Sequence, residues 1–94
     1  MKYLSDLKNV GKATLGDLAL LGIRTVEELA RQDPTALFQE LERRTQIRQD
    51  PCVWDVFAAI IHEAATGKPT NWWDWTDKRK VLQKNGKIKH VIEN

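Results

Sequence analysis

Lys8, Asn9, Val10, Gly11, Lys12 and Thr14 lie close enough along the chain to hold one phosphate group. Backbone binding of a phosphate needs N–H groups that an oxygen can approach closely, which favours glycine. It also needs a helix that begins at that point, so that its unsatisfied N–H groups and its dipole face the anion. Gly11 supplies the close approach, Lys12 and Thr14 stand at the helix start, and Lys8 lies one turn earlier. The usual form of such a turn has a glycine on each side of its apolar residue, and here Asn9 takes the first place. Asparagine tolerates the left-handed region, so the turn can still form, with the amide near the phosphate position. The same turn can serve packing alone, with Val10 plugging the core. Both readings stand on the sequence.

A second turn follows in "LERRTQIRQDPCVWDVF", with Ile47 where the first has Val10. It has no glycine, but Arg43, Arg44 and Arg48 surround it. Two such turns related by an approximate two-fold axis would set these arginines, with Lys8 and Lys12, against neighbouring phosphates of a duplex. Contacts of that kind position a protein on DNA without reading its sequence. The other reading is a solvated face whose arginines pair with Glu40 and Glu42.

"NWWDW" concentrates Trp72, Trp73 and Trp75. Indoles stack on the bases of single strands and anchor protein interfaces. They can also fold back and seal a small core, leaving one of the three exposed. Cys52 falls in the first turn of an expected helix, where the dipole can make a thiol reactive; a small, mostly buried packing residue is the alternative. His62 precedes Glu63, but position 66 is threonine, so no His-Glu-x-x-His metal site exists. Nucleophile–base spacing, a Gly-rich phosphate loop and an Mg²⁺-type carboxylate cluster are all missing from the sequence. Enzyme is the least expected class, and no cofactor or metal is expected.

The elements that must carry these residues read as helices. Tyr3, Leu4 and Leu7 form a short apolar stripe, and Leu15, Leu18, Ala19 and Leu21 recur at helical spacing until Gly22. Thr25-Val26-Glu27-Glu28 has the form of a capping box opening a helix over 26–31. Asp33-Pro34 and Asp50-Pro51 each read as an N-cap followed by proline. They open helices over 34–45 and 51–66, the second apolar on more than one face and therefore central. "KIKHVIE" after Asn85-Gly86 alternates like a strand, but it has no partner strand, so the last ten residues read as a tail.

The 94 residues have room for one domain, expected over residues 1–80, with a basic tail over 81–94. Residues 1–75 carry nine Lys/Arg against eleven Asp/Glu, and residues 76–94 carry six against two. A basic end on a mildly acidic body suits a nucleic-acid partner or is simply solvated. One cysteine, no apolar leader and no membrane-length segment set the expectation of a soluble cytoplasmic protein away from membranes.

"LKNVGKATLGDLALLGIRTVEELARQDPTALFQEL", "DPCVWDVFAAIIHEA" and "WWDWTDKRK" together resemble a family of small bacterial proteins. These are labelled pathogenicity-locus or mitomycin-resistance helix-hairpin-helix proteins, and the first stretch also looks like the C-terminal domain of the competence regulator TfoX. The resemblance covers residues 4–80; its most specific parts are Asp50-Pro51-Cys52 and Trp72-Trp73. It implies a compact domain of the SAM-like kind and DNA binding. The expected fold is therefore all-α, about five short helices built on a helix-hairpin-helix. The expected function is weak DNA binding without sequence preference, through Lys8, Asn9, Val10, Gly11, Lys12 and Thr14, with Arg44 and Arg48 in support. The alternative is a protein-interaction adaptor that docks a partner or a second copy through Trp72, Trp73, Trp75 and the tail.

Overall fold

Thr25, Asp33 and Asp50 each fasten the start of a helix. The Thr25 hydroxyl accepts the Glu28 N–H at 3.0 Å, Asp33 Oδ2 the Ala36 N–H at 2.9 Å, and Asp50 Oδ1 the Cys52 N–H at 2.9 Å. Each bond satisfies a donor that the helix itself cannot. The computed structural model describes residues 2–93, and within them five α-helices form. They are α1 (Lys12–Leu20), α2 (Val26–Ala30), α3 (Pro34–Thr45), α4 (Cys52–Thr66) and α5 (Thr76–Lys84). Single 3₁₀ turns occur at Leu4–Asp6 and Trp72–Trp75. The described residues form no strand.

The all-α expectation holds, but two elements differ from it. The segment ahead of Gly11 is one 3₁₀ turn, because Leu7 is already extended (ψ 143°) and ends the helical run. Conversely, α5 was not expected. Its sequence, "TDKRKVLQK", is nearly all polar, and the residue it buries is Arg79, which periodicity arguments assign to solvent.

Helix α4 is central: Trp54, Phe57, Ala58, Ile60 and Ile61 are buried along it, and α2, α3, α5 and the second 3₁₀ turn pack around it. Leu18, Leu29, Phe38 and Leu41 bring α1, α2 and α3 into the same core. Burying side chains of this kind contributes about 2 kcal/mol each. At the end of α1, Gly22 adopts φ 78°, and the Ile23 N–H turns back to the Leu18 carbonyl at 2.9 Å. Gly16 serves no such purpose. It is exposed in mid-helix and an added Cβ would meet nothing within 4 Å. Gly16→Ala is expected to raise stability by about 0.5–1 kcal/mol, read as a higher urea midpoint at unchanged slope.

The chain after α5 is docked onto α3. The boundary drawn after residue 80 falls inside α5, and Lys89, His90 and Val91 are bonded to α3. Ile88 is buried and His90 and Ile92 half-buried, while Lys87, Lys89, Val91 and Glu93 face solvent. The strand-like alternation thus marks a segment with one inward side, whose polar groups pair with α3. Gln39 Nε2 donates to the Lys89 carbonyl at 3.1 Å, and the Val91 N–H donates to Glu42 Oε1 at 2.8 Å.

Candidate functional site

The Asn9–Gly11 turn places an open helix start at the surface. Asn9 takes φ 72°, the left-handed conformation its side chain permits. Its amide does not occupy the anion position, because Nδ2 donates to the Thr70 carbonyl at 2.8 Å and is held toward the loop after α4. The Lys8 N–H donates to Glu63 Oε1 at 2.9 Å, a second tie from the turn to α4. Val10 packs against the core. Gly11 is the N-cap of α1, with no side-chain cap and no acid in the first turn. The first-turn N–H groups therefore face outward without an acceptor from the helix. Lys8, Gly11 and Lys12 are exposed and Thr14 is half-buried.

Gly11 has ordinary extended angles, φ −101° and ψ −171°, and nothing lies within 4 Å of where its Cβ would be. The fold itself therefore does not require glycine here. Asp17, six residues beyond Gly11, is the nearest acid on the helix, and partial burial raises its carboxyl above the usual range.

Arg44 is carried to the other end of α1. Its Nη1 donates to the Leu20 carbonyl at 3.0 Å and its Nε to Glu40 Oε2 at 2.9 Å. Leu20 is about 13 Å along the helix axis from Gly11, so Arg44 does not join the lysines at the turn. Arg43 Nη1 also meets Glu40, at 3.3 Å. The bonds from Arg44, ahead of those from Arg43, hold the Glu40 carboxyl below its ordinary range. Glu42 does not pair with the arginines, as the solvated-face reading had it, but points inward and is fully buried. Arg48 is exposed and has no ion-pair partner among the described residues.

The second turn is not a copy of the first. Ile47 is 61% exposed, so it does not plug the core as Val10 does. Gln46 closes α3 in the left-handed region at φ 56°, and Thr45 and Gln49 complete the turn with side-chain bonds.

Trp72 and Trp75 are half-buried and Trp73 is 57% exposed. Trp75 Nε1 donates to Thr70 Oγ1 at 2.9 Å, and its ring lies 5.3 Å from that of His62. These two rings help line a shallow cleft of about 430 Å³ between α3, α4 and α5. The Cys52 thiol is pushed above its ordinary value, first by burial and then by Asp50. A raised value disfavours the thiolate that a reactive cysteine needs.

Three buried carboxylates escaped sequence reasoning: Glu42, Asp55 and Glu63. Two of them, Asp55 and Glu63, sit on the inward face of the most apolar helix. An acid on such a face must find donors, and that was the available signal.

Fold and site together describe a small all-α domain that presents an open, lysine-flanked helix start. The chain belongs to the Cdd1 pathogenicity-locus family, whose family model matches residues 1–81. It is also similar to the mitomycin resistance protein McrB of Streptomyces lavendulae, at 29% identity over 79 residues, covering 84% of this chain and 75% of that protein. No solved structure matches the chain. No helix among the described residues is long and apolar enough to cross a membrane.

Proposed function

We propose that this domain binds the phosphate backbone of DNA, without sequence preference, through the Asn9–Thr14 turn. One observation carries the reading: a glycine that neither backbone angle nor packing requires stands at an uncapped helix start between two free lysines. A phosphate oxygen is the group that would use the missing Cβ, since it must approach the Gly11, Lys12 and Ala13 N–H groups closely. Lys8 and Lys12 add charge, and Arg44, at the far end of α1, and the exposed Arg48 add longer-range attraction. Such a contact alone corresponds to a dissociation constant of about 10⁻⁴–10⁻⁶ M at physiological salt.

The test separates binding from folding. Aspartate is a better N-cap than glycine and complements the helix dipole, so Gly11→Asp is expected to raise stability by about 0.5 kcal/mol. The same carboxylate repels a phosphate. Fluorescence anisotropy with a labelled duplex at two salt concentrations should show salt-sensitive binding that this variant loses. Unchanged binding by a stabilised Gly11→Asp protein would return the turn to a packing role. The adaptor reading rests on one exposed indole, Trp73, and expects the duplex titration to be flat from the start.

A further inference from the structure

Residues 78–89 carry five exposed lysines, Lys78, Lys80, Lys84, Lys87 and Lys89. None has an ion-pair partner among the described residues. A charge run at a chain end is ordinarily solvated and mobile, and its entropy opposes binding. This one is held. Arg79 is clamped from below by Asp55, with Nε to Oδ1 at 2.8 Å. The Thr76 hydroxyl donates to Asp55 Oδ2 at 2.8 Å. Beyond the helix, Ile88 is buried and Glu42 secures His90 and Val91. The one arginine of the segment thus serves as its anchor, and the lysines are left outside on a fixed backbone.

Lys80 and Lys84 are one turn apart on one flank of α5, about 6 Å along the axis. Trp73, the exposed indole, lies in the 3₁₀ turn that runs directly into α5, at the end of the helix from which Lys80 and Lys84 follow. Its ring and that of Trp72 meet edge to face, centroids 5.6 Å apart, and 57% of Trp73 stays open to solvent. Lysines that track a backbone beside an aromatic platform are the two parts of a surface for single-stranded nucleic acid. Trp75 does not contribute, because Lys78 already covers its ring at 5.4 Å. Asp74 and Asp77 are the exposed acids beside this surface: Asp74 accepts the Asn71 N–H at 3.1 Å, and Asp77 complements the helix dipole.

We infer that the α5 flank, Trp73 with Lys80 and Lys84 and with Lys87 and Lys89 beyond them, is a second nucleic-acid contact that takes a single strand. The inference rests on the reading of nucleic acid as the ligand, but it uses none of the residues of the Asn9–Thr14 turn. An acidic polypeptide such as polyglutamate would be drawn by the same lysines but has no bases to stack on the indole.

The test is anisotropy of a labelled oligothymidylate and a labelled duplex with the full chain, over a series of salt concentrations. Lys80→Gln with Lys84→Gln removes two phosphate contacts and should make the oligothymidylate salt slope shallower by about 1.4, a loss of roughly 25-fold at 0.1 M salt. Trp73→Ala should cost about five- to 150-fold with no change of slope. Asp77→Asn should tighten binding. Gly11→Asp should leave the oligothymidylate affinity in place, so the two contacts fail independently. If the lysine pair and Trp73 variants, folded by circular dichroism, bind oligothymidylate as the parent does, the flank is not a binding surface even where the duplex result survives. Equal affinity for polyglutamate, insensitive to Trp73→Ala, would likewise overturn the inference in favour of an acidic protein partner. No binding of either oligonucleotide overturns both contacts.

Discussion

Asp55→Ala is expected to destabilise the domain by about 3–5 kcal/mol, the cost of stranding one member of a buried ion pair. Asp55 is fully buried and its two oxygens accept from Arg79 Nε at 2.8 Å, Arg79 Nη2 at 3.3 Å and Thr76 Oγ1 at 2.8 Å. Removal of the carboxylate leaves a guanidinium that is 8% exposed with Gln83 as its remaining partner. For a domain of this size the loss is a large part of a total on the order of 5–15 kcal/mol. A urea titration followed by circular dichroism measures it. The double variant Asp55→Leu with Arg79→Leu should recover much of the loss, because a well-packed apolar pair costs no desolvation. A single-variant cost below about 1 kcal/mol would mean that water reaches the pair and α5 is not clamped as described.

The second large effect is expected at Glu42, where acid should release the C-terminal segment. Burial acts to raise this carboxyl, but bonds from His90 Nδ1, the Gln49 N–H and the Val91 N–H outweigh it and hold it below its ordinary value. A depressed carboxylate contributes stability that is complete above the unfolded-chain value of 4.5. That contribution is lost as pH falls from there through the lower folded-state value. Glu42→Gln keeps the shape but turns an amide NH₂ against a donor, and should cost about 2–3 kcal/mol near neutral pH. Its difference from the parent should hold down to about pH 5 and shrink as pH is lowered further. Hydrogen exchange gives the local readout: the Gln49 and Val91 amides should lose protection in the variant while the α4 amides keep theirs. A stability difference independent of pH would show that the lost contacts matter and the charge does not.

How much was legible depends on how far apart in the chain the partners lie. The caps at Thr25 and Asp33, the stop at Gly22 and the left-handed Asn9 all concern neighbours within a few residues, and all read correctly from local chemistry. The apolar spacing of α3 and α4 likewise marks their inward faces, which is why the fold class was accessible. Helix α5 was not, because its inward group is an arginine whose partner is 24 residues away. A charged side chain carries no mark of whether it will be hydrated or paired.

The candidate site divides in the same way. Types and spacing alone select Lys8, Gly11, Lys12 and Thr14, since a close approach and a helix start are local properties. That Asn9 turns away to Thr70, that Glu63 ties the turn to α4, and that Arg44 is drawn to Leu20 depend on elements 61, 55 and 24 residues distant. The sequence by itself determined helices α1 to α4, the caps at Thr25 and Asp33 and the composition of the turn. Tertiary structure alone decided which charges are buried. It withdrew Glu42, Asp55, Glu63 and Arg79 from solvent and left the lysines of α5 on a rigid surface. The physical reason is that burying a charge is favourable only when donors and acceptors from several elements converge on it, and that convergence exists only once the chain has folded.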